Sequence, residues 1–230
     1  MKKLPLNTIL YENKDVLVLN KIPGIPSVSD LSGDLSMQEL AEDYFQQQLF
    51  PVNRLDRPAS GALILCRNAT STAYLNLLLK EKKIWKYYLA VTENEPPKEK
   101  GTLEGWISLD KKYNKAHFKL TDPGRGKRAL SHYNLLDKSD NYFLLGIELI
   151  TGRQHQIRAQ LSFLNCPVKG DVKYGARRKN KDRSIHLHAF SIEFSLPDNG
   201  ELLRIYAPLP EENLWQFFQE PAMKFFNAKN

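Results

Sequence analysis

The stretch Val52–Arg67, VNRLDRPASGALILCR, sets a charged turn against a buried strand. Asn53, Arg54, Asp56 and Arg57 form the polar turn, Pro58 and Gly61 punctuate it, and the apolar run Ala62–Cys66 reads as a strand. A carboxylate held between two arginines at the mouth of such a strand is an expensive arrangement. An ion pair withdrawn from water rarely recovers its desolvation cost, so stability alone would favour apolar residues there. Asp56 is therefore the leading candidate for chemistry. The structural alternative is a solvated Arg-Asp-Arg surface turn that contributes little.

A second stretch, Thr151–Gly175, TGRQHQIRAQLSFLNCPVKGDVKYG, bears on that choice. The apolar run Tyr142–Ile150 before it reads as a strand, and His155–Leu164 has helical spacing, with Ile157, Leu161 and Leu164 on one face. Arg153 then falls at a strand-to-helix junction, where side chains point into sites.

Together the two stretches resemble the RluA family of pseudouridine synthases. Asn53–Asp56 with Ser60-Gly61 is similar to that family's HRLD-x-x-(T/S)-(S)-G motif, Gly152–Arg158 to its GRxHQIR run, and Gly170–Gly175 to its GDxxYG run. Between them, Lys86–Ala90 (KYYLA) is similar to its K-x-Y-x-A strand. The likeness runs from ILYENKDVLVLNKIPG near the start to HLHAFSIEF and APLP near the end. Several ordered, separated motifs are far more specific than one short pattern.

The resemblance implies a chemistry and a cast. The bond between uracil N1 and ribose C1′ breaks, the base turns, and C5 joins C1′. No redox change and no activated co-substrate is required, so no cofactor is expected. Asp56 is implied as the essential carboxylate, whether it attacks C6, attacks C1′ or removes a ribose proton. Arg153 is implied as its partner, an opposing charge that keeps the carboxylate ionised and fixes its rotamer. Tyr88 is implied as the ring that stacks on uracil, its hydroxyl within reach of C5 as a base. Tyr87, its neighbour on a strand, faces the other way. The target uridine must leave its stack. Arg54 is the candidate to fill the vacated space, a phosphate contact being the simpler role. His155 and Gln156 are expected to orient the helix start. The family commonly has His at the position of Asn53; Asn keeps the hydrogen-bonding capacity and loses titration.

Composition agrees with a nucleic-acid partner. The 230 residues are 42% hydrophobic and 26% charged, enough for a proper core, and the formal net charge is +7. Sequence pI is about 9.2. With Arg57 in the turn, two further basic groups are candidate RNA contacts: Arg125, Lys127 and Arg128 on the tip DPGRGKR, and Arg177 and Arg178 in the run after GDVKYG. Cys66 and Cys166 lack CxxC spacing and read as passive reduced thiols; the histidines His117, His132, His186 and His188 have no metal-ligand spacing. No apolar run could span a bilayer and no secretory h-region is present, so cytoplasmic residence is expected.

Asp15–Lys21 reads as a buried strand ended by Pro23, Gly24 and Pro26, and Ser36–Glu39 as a capping box opening a helix to about Gln48, with Leu40, Tyr44 and Phe45 buried. Ala69–Lys82 is a second helix with Leu75, Leu78 and Leu79 in the core. Trp85–Val91 is a strand, and Thr102–Leu136 supplies several short strands with turns at Asn114 and Asp122–Gly126. Ser184–Leu196 and Leu202–Tyr206 are strands, and Glu211–Phe226 is a terminal helix with Leu214, Trp215, Phe217 and Phe218 as core.

The expectation is α+β: one catalytic domain over 1–230, with a long bent mixed or antiparallel sheet, flanking helices and a central cleft, and without the S4-like RNA-binding module of some relatives. The expected partner is a compact stem-loop in rRNA or tRNA, with no membrane, no obligate protein partner and a monomeric state. Two other readings stand beside it: an RNA-binding protein without isomerase activity, and another basic enzyme, such as a hydrolase using Asp56. Against the latter, the chain has no P-loop, GxGxxG or paired metal carboxylates.

Overall fold

The computed structural model describes residues 3–228; residues 1–2 and 229–230 of the expected domain lie outside them. Two compact units emerge, one from residues 3–86 and 189–210, the other from 87–188 and 211–228.

The first unit is built around the largely buried β2 (Val16–Lys21) and around β4 (Ser60–Cys66), which is buried along its whole length. The two pair antiparallel, Val16 opposite Cys66 and Lys21 opposite Gly61. β1 (Ile9–Glu12) pairs with β2, and β3 (Phe50–Pro51) with the end of β4. β10 (Leu187–Ser195) neighbours β4 and pairs with β11 (Leu202–Tyr206).

Successive residues of a strand point to opposite faces, and here each face has its own cover. Val16, Val18, Ala62, Ile64 and Cys66 pack with Leu75 and Leu78 of α2 (Ala69–Lys80). Leu17, Leu19, Leu63 and Leu65 pack with Met37, Leu40 and Ala41 of α1 (Met37–Phe45). Two covered faces explain why β2 and β4 read as continuous apolar runs.

α1 opens on the expected capping box: the Ser36 hydroxyl accepts the Glu39 N–H at 3.2 Å, and the Glu39 carboxylate accepts the Ser36 N–H at 2.8 Å. It ends earlier than expected, because Gln46 turns left-handed at φ 51°. Its buried face is Met37, Leu40 and Ala41, while Tyr44, expected inside, is 49% exposed. α2 is capped by Asn68, whose side chain accepts the Ser71 N–H.

The second unit is an antiparallel sheet. β5 (Trp85–Thr92) pairs with β9 (Phe143–Leu149), β9 with β8 (Lys127–Lys138), β8 with β6 (Lys100–Asp110), and β6 with β7 (Lys115–Lys119). The turns fall where expected, but β6 and β8 are long rather than short strands. Ile107, Ala116, Phe118 and Ala129 form a core with Ala159 of α3 (Gln156–Phe163) and with Tyr174.

α3 is buried almost all round at its start. Gln160 is inside because Nε2 donates to the Leu103 carbonyl at 2.8 Å and Oε1 accepts from the Ser131 hydroxyl at 2.9 Å. The terminal helix is two, α4 (Asn213–Phe217) and α5 (Gln219–Asn227), joined at Phe218. Pro221 sits in the first turn of α5, where its missing N–H is not needed. The break turns Phe217 outward, 57% exposed, whereas Trp215 and Phe218 are core. The fold is α+β, as expected. No helix among the described residues is long and apolar enough to cross a membrane.

Candidate functional site

The NRLDR turn is held at every second residue. Asn53 clasps the start of β4, its Nδ2 donating to the Ala62 carbonyl at 3.1 Å and its Oδ1 accepting the Ile64 N–H at 2.7 Å. Leu55 is buried, and its N–H and carbonyl are both bonded to the Ser27 hydroxyl at 2.9 Å. The Arg57 carbonyl accepts the Gly24 N–H at 2.8 Å and the Lys21 ammonium at 3.1 Å. Asp56 and Arg54, between these anchors, are half-buried and exposed respectively. The Ala59 N–H closes the turn onto the Asp56 carbonyl at 3.0 Å. A carboxylate on such a backbone is positioned in advance.

Lys21 is the residue that sequence reasoning missed. It is wholly buried, with Nζ donating to the carbonyls of Ile22 at 3.0 Å, Ile25 at 2.8 Å and Arg57 at 3.1 Å. All three ammonium hydrogens are therefore used, and the 22–25 loop is tied to the NRLDR turn. Burial lowers its pKa to about 7, opposed by the Asp56 carboxylate and assisted by the Arg57 cation. The signal available in the sequence was a lysine closing the strand that the apolar run Val16–Leu19 begins.

After β4 begins, the chain needs Gly61. It has φ +112°, and a Cβ there would lie 2.3 Å from the Ala189 carbonyl oxygen. Arg57, a candidate RNA contact, donates from Nε to the Gly24 carbonyl at 2.9 Å and pairs with Asp34.

In the second unit, Tyr88 is buried on β5 opposite Ile147. Tyr87 packs its ring edge-on against Phe225 of α5, with centroids 6.0 Å apart. Arg153 is exposed, and its Nε donates to the Arg128 carbonyl at 3.0 Å. The turn carrying it is organised by the buried Gln156, whose Oε1 accepts from the Arg153 N–H at 3.0 Å and the Thr151 hydroxyl at 2.9 Å. Gln156 Nε2 donates to the Leu130 carbonyl at 3.2 Å.

The two downstream motifs bind each other. Arg158 forks onto Asp171, and its guanidinium lies 4.7 Å from the Tyr174 ring centroid. His155, at φ 54°, bonds through Nδ1 to the Tyr174 hydroxyl at 2.9 Å, and that hydroxyl accepts the Ala116 N–H at 2.7 Å. Gln156 thus organises the turn that carries Arg153, and His155 ties the start of α3 to Tyr174.

Of the basic groups, Arg125, Lys127 and Arg128 are exposed at the β7–β8 connection, with Arg128 paired to Glu104. Arg177 and Arg178 are exposed too, and Arg177 meets Glu93 at 3.1 Å. Their loop is supported by Asn180, which accepts from the Lys169 ammonium at 2.9 Å and donates to the Ser184 carbonyl at 3.0 Å. Burial pushes both thiols, Cys66 and Cys166, up to about 11, so they stay protonated. Among the described residues no His, Cys, Asp or Glu cluster is arranged to hold a metal.

A family model for RNA pseudouridylate synthase matches residues 15–163. A protein of Bacillus subtilis named as an RNA pseudouridine synthase is 32% identical over 213 residues, covering 89% of this chain and 69% of the relative. Ribosomal large subunit pseudouridine synthase C of Rickettsia bellii is 34% identical over 217 residues, covering 91% of this chain and 70% of its own. Among solved structures, human RNA Pseudouridylate Synthase Domain Containing 1 matches with a TM-score of 0.74 at 24% identity, over 93% of this chain and 94% of the other. At that identity the likeness speaks to the fold.

Proposed function

The chain belongs to the RNA pseudouridylate synthase family and is of the RluA type, so it is an RNA pseudouridine synthase; we propose that it isomerises specific uridines in structured rRNA or tRNA with Asp56 as the essential carboxylate. Ribosomal RNA is the first target to examine, because relatives such as the Rickettsia bellii protein are named for the large ribosomal subunit.

The observation that carries the assignment is the way the NRLDR turn is fixed. Asn53, Leu55 and the Arg57 carbonyl are bonded to the surrounding fold, which supports a role for the intervening Asp56 in which position matters.

In the reaction, the target uridine leaves its stack at a cost of about a few kcal/mol. Arg54 takes up the vacated space or a phosphate. Asp56 acts at the sugar or the base while the N1–C1′ bond breaks. Tyr88 keeps the detached uracil against its ring while it turns, and its oxygen takes the C5 proton, passing on its own, once C5 has joined C1′. A proton returns to N1, so atoms and charge balance without a cofactor. Arg153 supplies a positive charge for the reaction. Arg57, the Arg125–Arg128 tip and Arg177–Arg178 meet the RNA backbone. We place the enzyme in the cytoplasm as a monomer.

The test is carbodiimide mapping of pseudouridine across total RNA from cells with and without this gene, and from deleted cells restored with Asp56→Asn. A site that vanishes on deletion and stays absent with the variant is the expected result. Persistence of every site would overturn the reading and leave RNA binding without modification.

A further inference from the structure

The β6–β7 connection carries KKYNK, Lys111–Lys115, in which three lysines flank a tyrosine that is 63% exposed. The tip is rigidly made. The Asp110 carboxylate accepts the N–H groups of Lys112 at 3.0 Å and Tyr113 at 3.2 Å, and Asn114 closes the turn at φ 47°. Asp110 is thereby turned onto the tip's own backbone. The remaining charge of the tip is cationic. Lys111 and Lys112 are exposed, and Lys112 Nζ lies 5.3 Å from the centroid of the Tyr113 ring.

The tip is also held in one place. Gln154 Nε2 donates to Asn114 Oδ1 at 2.7 Å, so the residue next to Arg153 anchors it. From the other side, Lys115 lies 5.3 Å from the ring of Tyr174, and the Ala116 N–H bonds the Tyr174 hydroxyl. The GRQHQIR and GDVKYG motifs therefore fix the tip as well as Arg153. An exposed aromatic among ammonium groups is the composition with which proteins hold unpaired nucleotides, the ring taking a base and the cations the phosphates.

We propose that Lys111–Lys115 grips the RNA strand flanking the target uridine, with Tyr113 stacking on an unpaired base and Lys111, Lys112 and Lys115 meeting phosphates. This rests on the reading of Arg153 as part of the catalytic site. The tip selects among uridines by what lies beside them, leaving the chemistry to Asp56.

The test uses the full chain with two probes: a fluorescein-labelled single-stranded 20-nucleotide RNA for binding, and an unmodified large-subunit ribosomal RNA transcript for turnover. Replacing Lys111, Lys112 and Lys115 together by Ala lowers the slope of log affinity against log salt by about 2, at about 0.7 for each phosphate no longer neutralised. Tyr113→Ala weakens binding about tenfold, while Tyr113→Phe, which keeps the ring, binds as the parent does. In single-turnover assays at saturating RNA, all these variants keep the parent rate. An unchanged slope, or Tyr113→Ala binding like Tyr113→Phe, overturns the proposal. Asp56→Asn separates the two readings: it loses turnover with its salt slope intact, and if it keeps turnover the assignment of Asp56 fails whatever the tip does.

Discussion

Arg158 and Asp171 meet as a two-pronged ion pair inside the second unit, Nε to Oδ2 at 2.6 Å and Nη2 to Oδ1 at 2.9 Å, with side chains only 5% and 2% exposed. The pair fastens the helix after Arg153 to the GDVKYG loop. Removing one partner strands the other charge away from water, which typically costs about 3–5 kcal/mol. Arg158→Ala is therefore expected to destabilise the protein by about that amount in chemical denaturation. Arg158→Met combined with Asp171→Leu removes both charges at once and is expected to be much milder. Equal losses for the single and double variants would contradict this account.

Gly61 leads β4 away from the NRLDR turn with a positive φ and an approach to Ala189 that leave no room for a side chain. Gly61→Ala adds a Cβ 2.3 Å from the Ala189 carbonyl oxygen at φ +112°. Overpacking costs about 1–3 kcal/mol, and the left-handed backbone adds strain of similar size. The variant is expected to unfold at lower denaturant and, by displacing the turn, to lose turnover beyond its loss of folded protein. A variant that kept parental stability would show that the strand can shift freely.

How much of this was legible beforehand depended on the range of the interaction. The strands β2 and β4, the capping box at Ser36 and the start of α2 at Ala69 follow from neighbours in the chain, and were readable. Lys21 was not: the carbonyls that justify burying it include that of Arg57, 36 residues away. The motif letters Arg158 and Asp171, His155 and Tyr174 were visible without their pairing, because the pairing exists only once the loop has folded back on α3. Helix ends were misjudged where a local conformation decided them, at Gln46 and at Phe218. Tyr44 and Phe217, which helical spacing places in the core, are exposed, Phe217 because the terminal helix breaks at Phe218.

The motif resemblance puts Asn53 in the place of a His, and its amide both donates to Ala62 and accepts from Ile64. That is one donor and one acceptor, which a neutral imidazole also has. These two bonds hold the turn on β4. Asn53→Ala leaves two backbone groups of β4 without these bonds, at about 1–3 kcal/mol for each group left buried and unsatisfied. It is expected to lower both stability and turnover, while Asn53→His restores turnover. An Asn53→Ala enzyme with full turnover would detach this bond pair from the placing of Asp56.

Lys21 gives the fold a pH dependence of definite sign. Its pKa is 10.5 ordinarily and about 7 in the folded chain, burial being the main cause. Between those values the unfolded chain binds more protons at this position than the folded one does, so this group makes stability rise as pH increases. The penalty for burying the ammonium is fully present below about 7 and relieved progressively up to about 10.5. Lys21→Met removes the titration and also strands the carbonyls of Ile22, Ile25 and Arg57. The variant is therefore expected to be less stable through the lost bonds, and to lack the parental rise in denaturation midpoint across that window. If the parent itself shows no rise, the three carbonyls and the Asp56 carboxylate hold the ammonium charged more firmly than burial opposes it, and Lys21 is then a permanent cation beneath the turn.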